Sequence, residues 1–321
     1  MKYITLANNE KVSQEILGLM RIQWKGVDEN GNKTYLGLPV EDVEALIFKA
    51  LDLGINFIDT ADIYGHGLSE ELIGKVFERN PGLREKLFVQ TKCGVVSTSE
   101  GRRNSTEGSY IIECVNRSLE RLKTDHIDSL LLHMPDALFD PQDVAEAFDQ
   151  LYNEGKVRYF GVSNWTSSNI ALLMKYSKQP ITFDQEQLSI VHSFMVDGEM
   201  SVNQDWENSI ERDTQKLAFC RLNGIQLQAY STVVAKINER TFIDNPNYEK
   251  MNQIMDRLCE KYNTNKNAIA LAWIQRLPEN VMTVIGTTKV SRLEESTQAC
   301  DVRLTAQEWY DLYYSTGKKM L

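Results

Sequence analysis

The sequence lacks most of the features that settle a function class at once. Its 5 cysteines, Cys93, Cys114, Cys220, Cys259 and Cys300, are odd in number and contain no Cys-x-x-Cys pair. No disulfide framework or redox pair is therefore expected, and cysteines of this kind read as small buried hydrophobes in a reduced, cytoplasmic protein. The 4 histidines, His66, His126, His133 and His192, show no metal-ligand spacing, so no metal is expected and a zinc enzyme is set aside. No run approaches the roughly 18 apolar residues of a membrane span, and MKYITLANNEKV lacks the apolar core of a secretory signal. Membrane and export are not expected. Positive charge is also in deficit: 35 Lys and Arg stand against 45 Asp and Glu, a net −10 that argues against a nucleic-acid partner. Only 7 prolines occur, no linker divides the chain, and neither a repeat nor a low-complexity tract is visible.

What is present is a regular alternation. A hydrophobic share of 42% with 25% charge is that of a globular protein with a sizeable core, which excludes disorder. Strand-like runs occur at 15–20, 55–61, 87–92, 127–133, 157–163, 182–187, 225–231 and 281–287. Helical periodicity separates them. Helix 40–53 places Val43, Leu46, Ile47 and Ala50 on one face and stops at Gly54; Ser69 reads as the N-cap of the next. The helix at about 106–123 places Ile111, Val115, Leu119 and Leu122 together, one begins near Asp140-Pro141, and one covers 166–177. Further helices end at Gly224 and lie between Tyr248 and Arg276. Apolar strands joined by helical crossovers imply a parallel sheet covered on both faces. Eight such units in about 300 residues fit a (β/α)8 TIM barrel, a single domain over 1–321. Residues 2–13 read as an N-terminal hairpin, 304–321 as an extra C-terminal helix docked by Trp309, Leu312 and Tyr313, and 192–208 as a long loop.

In this architecture chemistry sits at the C-terminal ends of the strands. Asp59 and Tyr64 follow the second run, Lys92 ends the third and His133 the fourth. Ser163 and Asn164 follow the fifth, Gln185 lies in the sixth, and Tyr230-Ser231 end the seventh. Singly, each has an ordinary reading: a capping Asp, a packed Tyr ring, a solvated or Schiff-base Lys, a core His. Together, an Asp, a Tyr, a Lys and a His at one barrel mouth make a proton-transfer site.

The string Gly54-Ile-Asn-Phe-Ile-Asp59-Thr60-Ala61-Asp62-Ile63-Tyr64-Gly65-His66-Gly67-Leu68-Ser69-Glu70 resembles the signature of the aldo-keto reductases. Thr91-Lys92-Cys93-Gly94, Leu130-Leu131-Leu132-His133, Gly155 to Asn164 and Ile285 to Glu295 resemble further family stretches in the same order. The run Leu132 to Asp136, with Val191-His192-Ser193-Phe194, is most similar to a branch of bacterial oxidoreductases of unassigned substrate. The resemblance implies NADPH-dependent reduction of a small carbonyl substrate, with Tyr64 as proton donor, Lys92 lowering its pKa, Asp59 pairing with Lys92, and His133 placing the substrate oxygen.

It also implies an NADP(H) site without a Rossmann glycine motif. Ser163, Asn164 and Gln185 are expected at the carboxamide, Tyr230 stacked on the nicotinamide, and Met20 and Ser231 beside it. Gly286, Thr287 and Thr288 are expected at the phosphates, Lys289 and Arg292 at the 2′-phosphate, and Glu295 at the adenine. Asp184 and Ser296 stand where the family usually has Asn. Trp24, Trp165 and the 192–208 loop are expected as substrate-pocket walls. A monomer is expected. Two rivals stay open: a nucleotide-binding regulatory subunit on the same barrel, like potassium-channel β subunits, and a Schiff-base aldolase using Lys92.

Overall fold

Parallel strands covered on both faces read as continuous apolar runs, and in the computed structural model they pair as such. The structure describes residues 1–29, 31–98, 101–200, 215–235, 241–278 and 280–317. Its first strands are β1 (Tyr3–Thr5), β2 (Lys11–Ser13), β3 (Glu15–Gly18), β4 (Gln23–Val27) and β5 (Lys33–Gly37). Next come β6 (Phe57–Asp59), β7 (Phe88–Cys93), β8 (Val95–Thr98) and β9 (Gly101–Asn104). The last are β10 (Ile127–Leu132), β11 (Val157–Ser163), β12 (Ile181–Gln187), β13 (Gln226–Tyr230) and β14 (Met282–Ile285). Eight of them close a barrel in the order β3-β6-β7-β10-β11-β12-β13-β14, the (β/α)8 arrangement expected from the alternation.

The connecting helices are α1 (Val40–Asp52), α2 (Leu68–Arg79), α3 (Gly108–Leu122), α4 (Pro141–Asn153), α5 (Ser167–Tyr176) and α6 (Phe194–Met200). After them come α7 (Lys216–Leu222), α8 (Glu249–Tyr262), α9 (Lys266–Gln275), α10 (Val290–Thr297) and α11 (Ala306–Tyr314). None of the described helices is long and apolar enough to cross a membrane.

The chain divides into two compact units. The first holds Ile16–Gln185 with Gly286–Val290. Within it β3, β6, β7, β10, β11 and β12 pair in parallel, with Gly18 opposite Asp59, Asp59 opposite Gln90, Gln90 opposite Ser129, and Ser163 opposite Gln185. That register sets polar side chains level with one another. Phe57, Phe88 and Phe183 pack two residues earlier on their strands, with Phe57 and Phe88 centroids 4.5 Å apart and Phe57 and Phe183 5.9 Å apart. An aromatic layer thus lies one step below the polar one, as strand alternation requires. Helices α2 and α3 meet closely at Gly74, where an added methyl would stand 2.0 Å from the Arg121 carbonyl oxygen.

The second unit holds Met1–Glu15, Glu186–Ile285 and Ser291–Leu321. The expected N-terminal hairpin is present as β1 and β2, with Ile4 opposite Val12. The C-terminal helix is α11, and Trp309, Leu312 and Tyr313 are its buried residues. Its dock is reciprocal: Trp309 and Trp273 stack 4.7 Å apart, and each indole N–H donates to the other's carbonyl at 2.9 and 3.1 Å.

Several local expectations need correction. Ser69 does not cap α2; Gly67 occupies that place, and the Ser69 hydroxyl donates to the Leu19 carbonyl at 2.9 Å instead. On α3 the buried positions are Gly108, Ile111, Cys114, Val115, Ser118 and Leu122, so Leu119 sits beside the buried stripe rather than in it. The hairpins β4–β5 and β8–β9 emerge where only loops are expected. The stretch 192–208 opens as α6, and its part from 201 onward lies outside the described residues.

Candidate active site

Asp59 ends β6, and Lys92 lies one place before the end of β7. The Lys92 ammonium donates to both Asp59 carboxylate oxygens at 2.6 and 2.7 Å and to the Thr60 carbonyl at 2.7 Å. Both side chains are buried, so Lys92 is not the solvated cation of its ordinary reading. A buried ion pair survives only if its remaining hydrogen-bonding capacity is met. Here Gln90 donates to Asp59 at 2.8 Å, Gln185 donates to it at 3.2 Å, and Ser129 donates to the Gln90 side-chain Oε1 at 3.0 Å.

Tyr64 opens a short helical turn, Tyr64–Gly67, in which Gly65, His66 and Gly67 all adopt left-handed backbone. Its ring lies 5.2 Å from the Lys92 ammonium and meets the His133 ring edge-on at 5.7 Å. His133 is fixed from behind: its N–H donates to the Cys93 carbonyl at 2.8 Å, and its own carbonyl accepts from Asn164 at 3.3 Å. Asp59, Tyr64, Lys92 and His133, from three successive βα loops, therefore stand together.

The electrostatics differ in one respect from the simple expectation that Lys92 lowers the phenol. Burial raises the Tyr64 pKa; Lys92 opposes it without overturning it, and the net direction is upward. Burial alone would depress Lys92, but Asp59 and Tyr64 outweigh it and hold the ammonium charged, above its ordinary value. The cluster rests as a protonated phenol against a fixed cation.

The other expected positions fall in place as follows. The Ser163 hydroxyl donates to the Gln185 carbonyl at 2.7 Å, and the Asn164 amide donates to Ser163 Oγ at 3.0 Å. Asn164 itself is left-handed, with φ 61°. Met20 is exposed in the turn after β3, and Trp24 is exposed on β4. Trp165 is buried, edge-on to Phe139 at 4.7 Å. In the Gly286–Thr288 segment, the Lys289 N–H donates to Thr287 Oγ1 at 3.0 Å. In the second unit, Tyr230 ends β13 and Ser231 follows it with φ 53°. Arg292 and Glu295 lie on α10, where Asn267 donates to the Glu295 carboxylate at 3.1 Å and Ser296 donates to the Arg292 carbonyl at 2.8 Å.

Sequence reasoning overlooked three contributors. Gln90 and Ser129 form the polar layer behind Asp59. The signal for Gln90 is visible in Phe88-Val89-Gln90-Thr91-Lys92, where a polar side chain occupies the same face as Lys92. Arg21 is the third: its Nε lies 4.0 Å from where a Cβ on Gly286 would stand, which adds a cation beside the expected phosphate segment.

With this geometry in hand, comparison with known proteins is direct. A family model described as the aldo/keto reductase family matches residues 16–313, across both units. An uncharacterized oxidoreductase of Bacillus subtilis is 31% identical, with 98% of this chain and 97% of that protein covered. A 6-dehydroglucose reductase of Agrobacterium fabrum is 29% identical over the full length of both. Among solved structures, a thermostable aldo-keto reductase crystallised with the inhibitor epalrestat superposes with a TM-score of 0.75 at 25% identity, covering 98% of this chain and 100% of that one. The chain is an oxidoreductase enzyme and belongs to the aldo/keto reductase family.

Proposed function

We propose that the protein is an NADPH-dependent reductase that converts an aldehyde or ketone to the alcohol, acting as a single catalytic domain and as a cytoplasmic monomer. The observation that carries this reading is the convergence of Tyr64, His133 and the buried Lys92–Asp59 pair at one barrel mouth. The donor set fits a nicotinamide cofactor. Ser163, Asn164 and Gln185 offer hydroxyl and amide groups suited to a carboxamide, and Arg21, beside Gly286, and Lys289 supply cations for phosphate. A reduced nicotinamide supplies the hydride when bound.

The chain's own residues do the rest. Tyr64 holds its proton at rest because burial raises the phenol, and it delivers that proton to the carbonyl oxygen as negative charge grows there. Lys92 stabilises the phenolate that remains, and Asp59 keeps Lys92 charged and aimed. His133 hydrogen-bonds the substrate oxygen. The carbon gains a hydride and the oxygen a proton, which balances the reduction. A raised donor pKa must show as an alkaline limb in kcat/KM: activity falls only as pH rises through the phenol value, above the ordinary value of about 10.

The test is NADPH oxidation over a panel of aldehydes, ketones and keto sugars, the last suggested by the Agrobacterium relative's name. Turnover is expected, with Tyr64→Phe slower by about 10²–10⁴-fold at unchanged thermal stability. An intact, folded protein with neither NADPH binding nor turnover would overturn the reading. A nucleotide-binding regulatory subunit gains no support, since the relatives above are named as reductases or oxidoreductases.

A further inference from the structure

Inside the first unit, the turn that begins with Tyr64 is an unusual piece of backbone. Gly65, His66 and Gly67 are left-handed in succession, with φ 63°, 56° and 98°. Glycine adopts this region freely, but histidine does not, and such a run persists only where its surroundings over-determine it. Two planar side chains do so here. A methyl on Gly65 would stand 3.0 Å from the Gln23 amide, and a methyl on Gly67 would stand 2.5 Å from Arg121 Nε and 2.7 Å from its Nη1. The Arg121 guanidinium thus fills the space that a side chain at position 67 would need. From there it reaches back to the reacting groups. Its Nη1 donates to Glu70 Oε2 at 3.2 Å, and the other Glu70 oxygen accepts from the Thr91 hydroxyl at 2.6 Å. Glu70 is buried in the first turn of α2, and Thr91 immediately precedes Lys92 on β7. The contacts therefore close a circuit: Tyr64 turn, Arg121, Glu70, Thr91, Lys92, and back across the 5.2 Å between the Lys92 ammonium and the Tyr64 ring.

We propose that Arg121 is a positioning residue: its guanidinium supports the left-handed turn at Gly67 and, through Glu70 and Thr91, sets the spacing of Tyr64 from Lys92. The kinetic consequence rests on the reading of Tyr64 as proton donor; the placement of the turn does not. Arginine suits this task because it offers a planar face to the glycine and a fork of donors to the carboxylate at once. A lysine could meet Glu70 as a point charge, but it has no plane to lay against Gly67. Arg117 supplies the contrast. It stands one turn earlier on the same face of α3, and among the described residues its hydrogen bonds go to Glu113 and to Cys114 Sγ. Arg121 and Arg117 both line a cavity of about 280 Å³, with Asp62 and His66 on its other side. Removing the Arg121 guanidinium would leave a void continuous with that cavity, so a free guanidinium ion has a route to the vacated place.

The test uses full-length Arg121→Ala, Arg121→Lys and Arg117→Gln, with two readouts: amide hydrogen exchange across residues 64–68, and steady-state carbonyl reduction. Arg121→Ala is expected to speed exchange in 64–68 while α4 keeps its protection. Its kcat should fall by up to about 10²-fold, the cost of a small misplacement of a reacting group, with KM for the nicotinamide cofactor unchanged. Guanidinium chloride, well below denaturing concentration, should restore both protection and kcat in this variant, and sodium chloride at equal ionic strength should restore neither. Arg121→Lys should lose protection and kcat in the same direction, and Arg117→Gln should match wild type. A merely structural arginine predicts lower thermal stability with kcat intact and no rescue specific to guanidinium. The proposal is overturned if 64–68 keeps wild-type protection in folded Arg121→Ala, or if Arg121→Lys matches wild type in both readouts. Should Arg121→Ala not fold, Arg121→Lys decides by the same criterion. Exchange is read without turnover, so a loosened turn with unchanged kcat upholds Arg121 as the support of the turn and counts against Tyr64 as proton donor.

Discussion

The two faces of β7 carry the same burial to opposite electrostatic ends. Gln90 and Lys92 point to the polar layer around Asp59; Thr91, between them in sequence, donates instead to Glu70 on α2. On the inner face one carboxylate meets one ammonium at 2.6 Å, and the ammonium stays charged. On the outer face, Asp62 and Glu70 share a single arginine contact: Arg121 reaches Glu70 at 3.2 Å, and burial raises both carboxyls. The difference is stoichiometry, not depth. A buried acid with its own cation is a fixed charge, whereas a buried acid without one becomes a store of protons.

The largest expected effect breaks the inner pair. Lys92→Met leaves Asp59 buried without its cation, which should cost about 3–5 kcal/mol in urea unfolding. A loss under about 1 kcal/mol would mean that the inner face tolerates an unpaired acid as the outer one does. The outer face should respond to pH instead. A folded pKa of about 9 for Asp62, against an unfolded value of about 3.9, means the native state binds the extra proton, so stability falls as pH rises between them. Asp62→Asn cannot titrate. Between about pH 5 and pH 8 it should gain at least about 2 kcal/mol on wild type, read from paired unfolding curves. Parallel curves would show that Asp62 already has a compensating charge.

A smaller effect tests the packing that holds the outer face closed. Gly74→Ala drives a methyl to within 2.0 Å of the Arg121 carbonyl unless α2 and α3 separate. The expected cost is about 1–3 kcal/mol of stability, with faster amide exchange along α3. An unchanged melting temperature would show that the helices part without strain.

How much of this could be read in advance divides along the same strand. The inner site was legible because polar side chains at strand ends stand out against apolar runs, and a period of two assigns Gln90 and Lys92 to one face. Its supports were not, since Gln90 meets Ser129 only through the register of β7 on β10. The outer cluster was hidden for a similar reason. Glu70 reads as an ordinary first-turn acid of α2 until Arg121 of α3 reaches its carboxylate at 3.2 Å. Ser69 misled because a hydroxyl before a helical run has the same sequence signature whether it caps the helix or bonds elsewhere. The hairpins β4–β5 and β8–β9 were missed because they lie in βα excursions whose residues are largely polar and show no clean alternation.

The smallest perturbation asks how far the inner face depends on its second layer. Ser129→Ala removes one donor to Gln90 and touches neither Asp59 nor Lys92. Loss of a single neutral hydrogen bond should cost about 1 kcal/mol. Gln90 then has less to hold its amide on Asp59, so the carboxylate loses a restraint while keeping its ionic partner. If the inner face works by fixing charge in place, kcat should fall a few-fold while KM for the nicotinamide cofactor stays constant, because no cofactor-facing group has moved. If kcat is untouched at the same loss of stability, the Lys92–Asp59 pair alone holds the geometry, and the polar layer beneath it serves folding rather than chemistry.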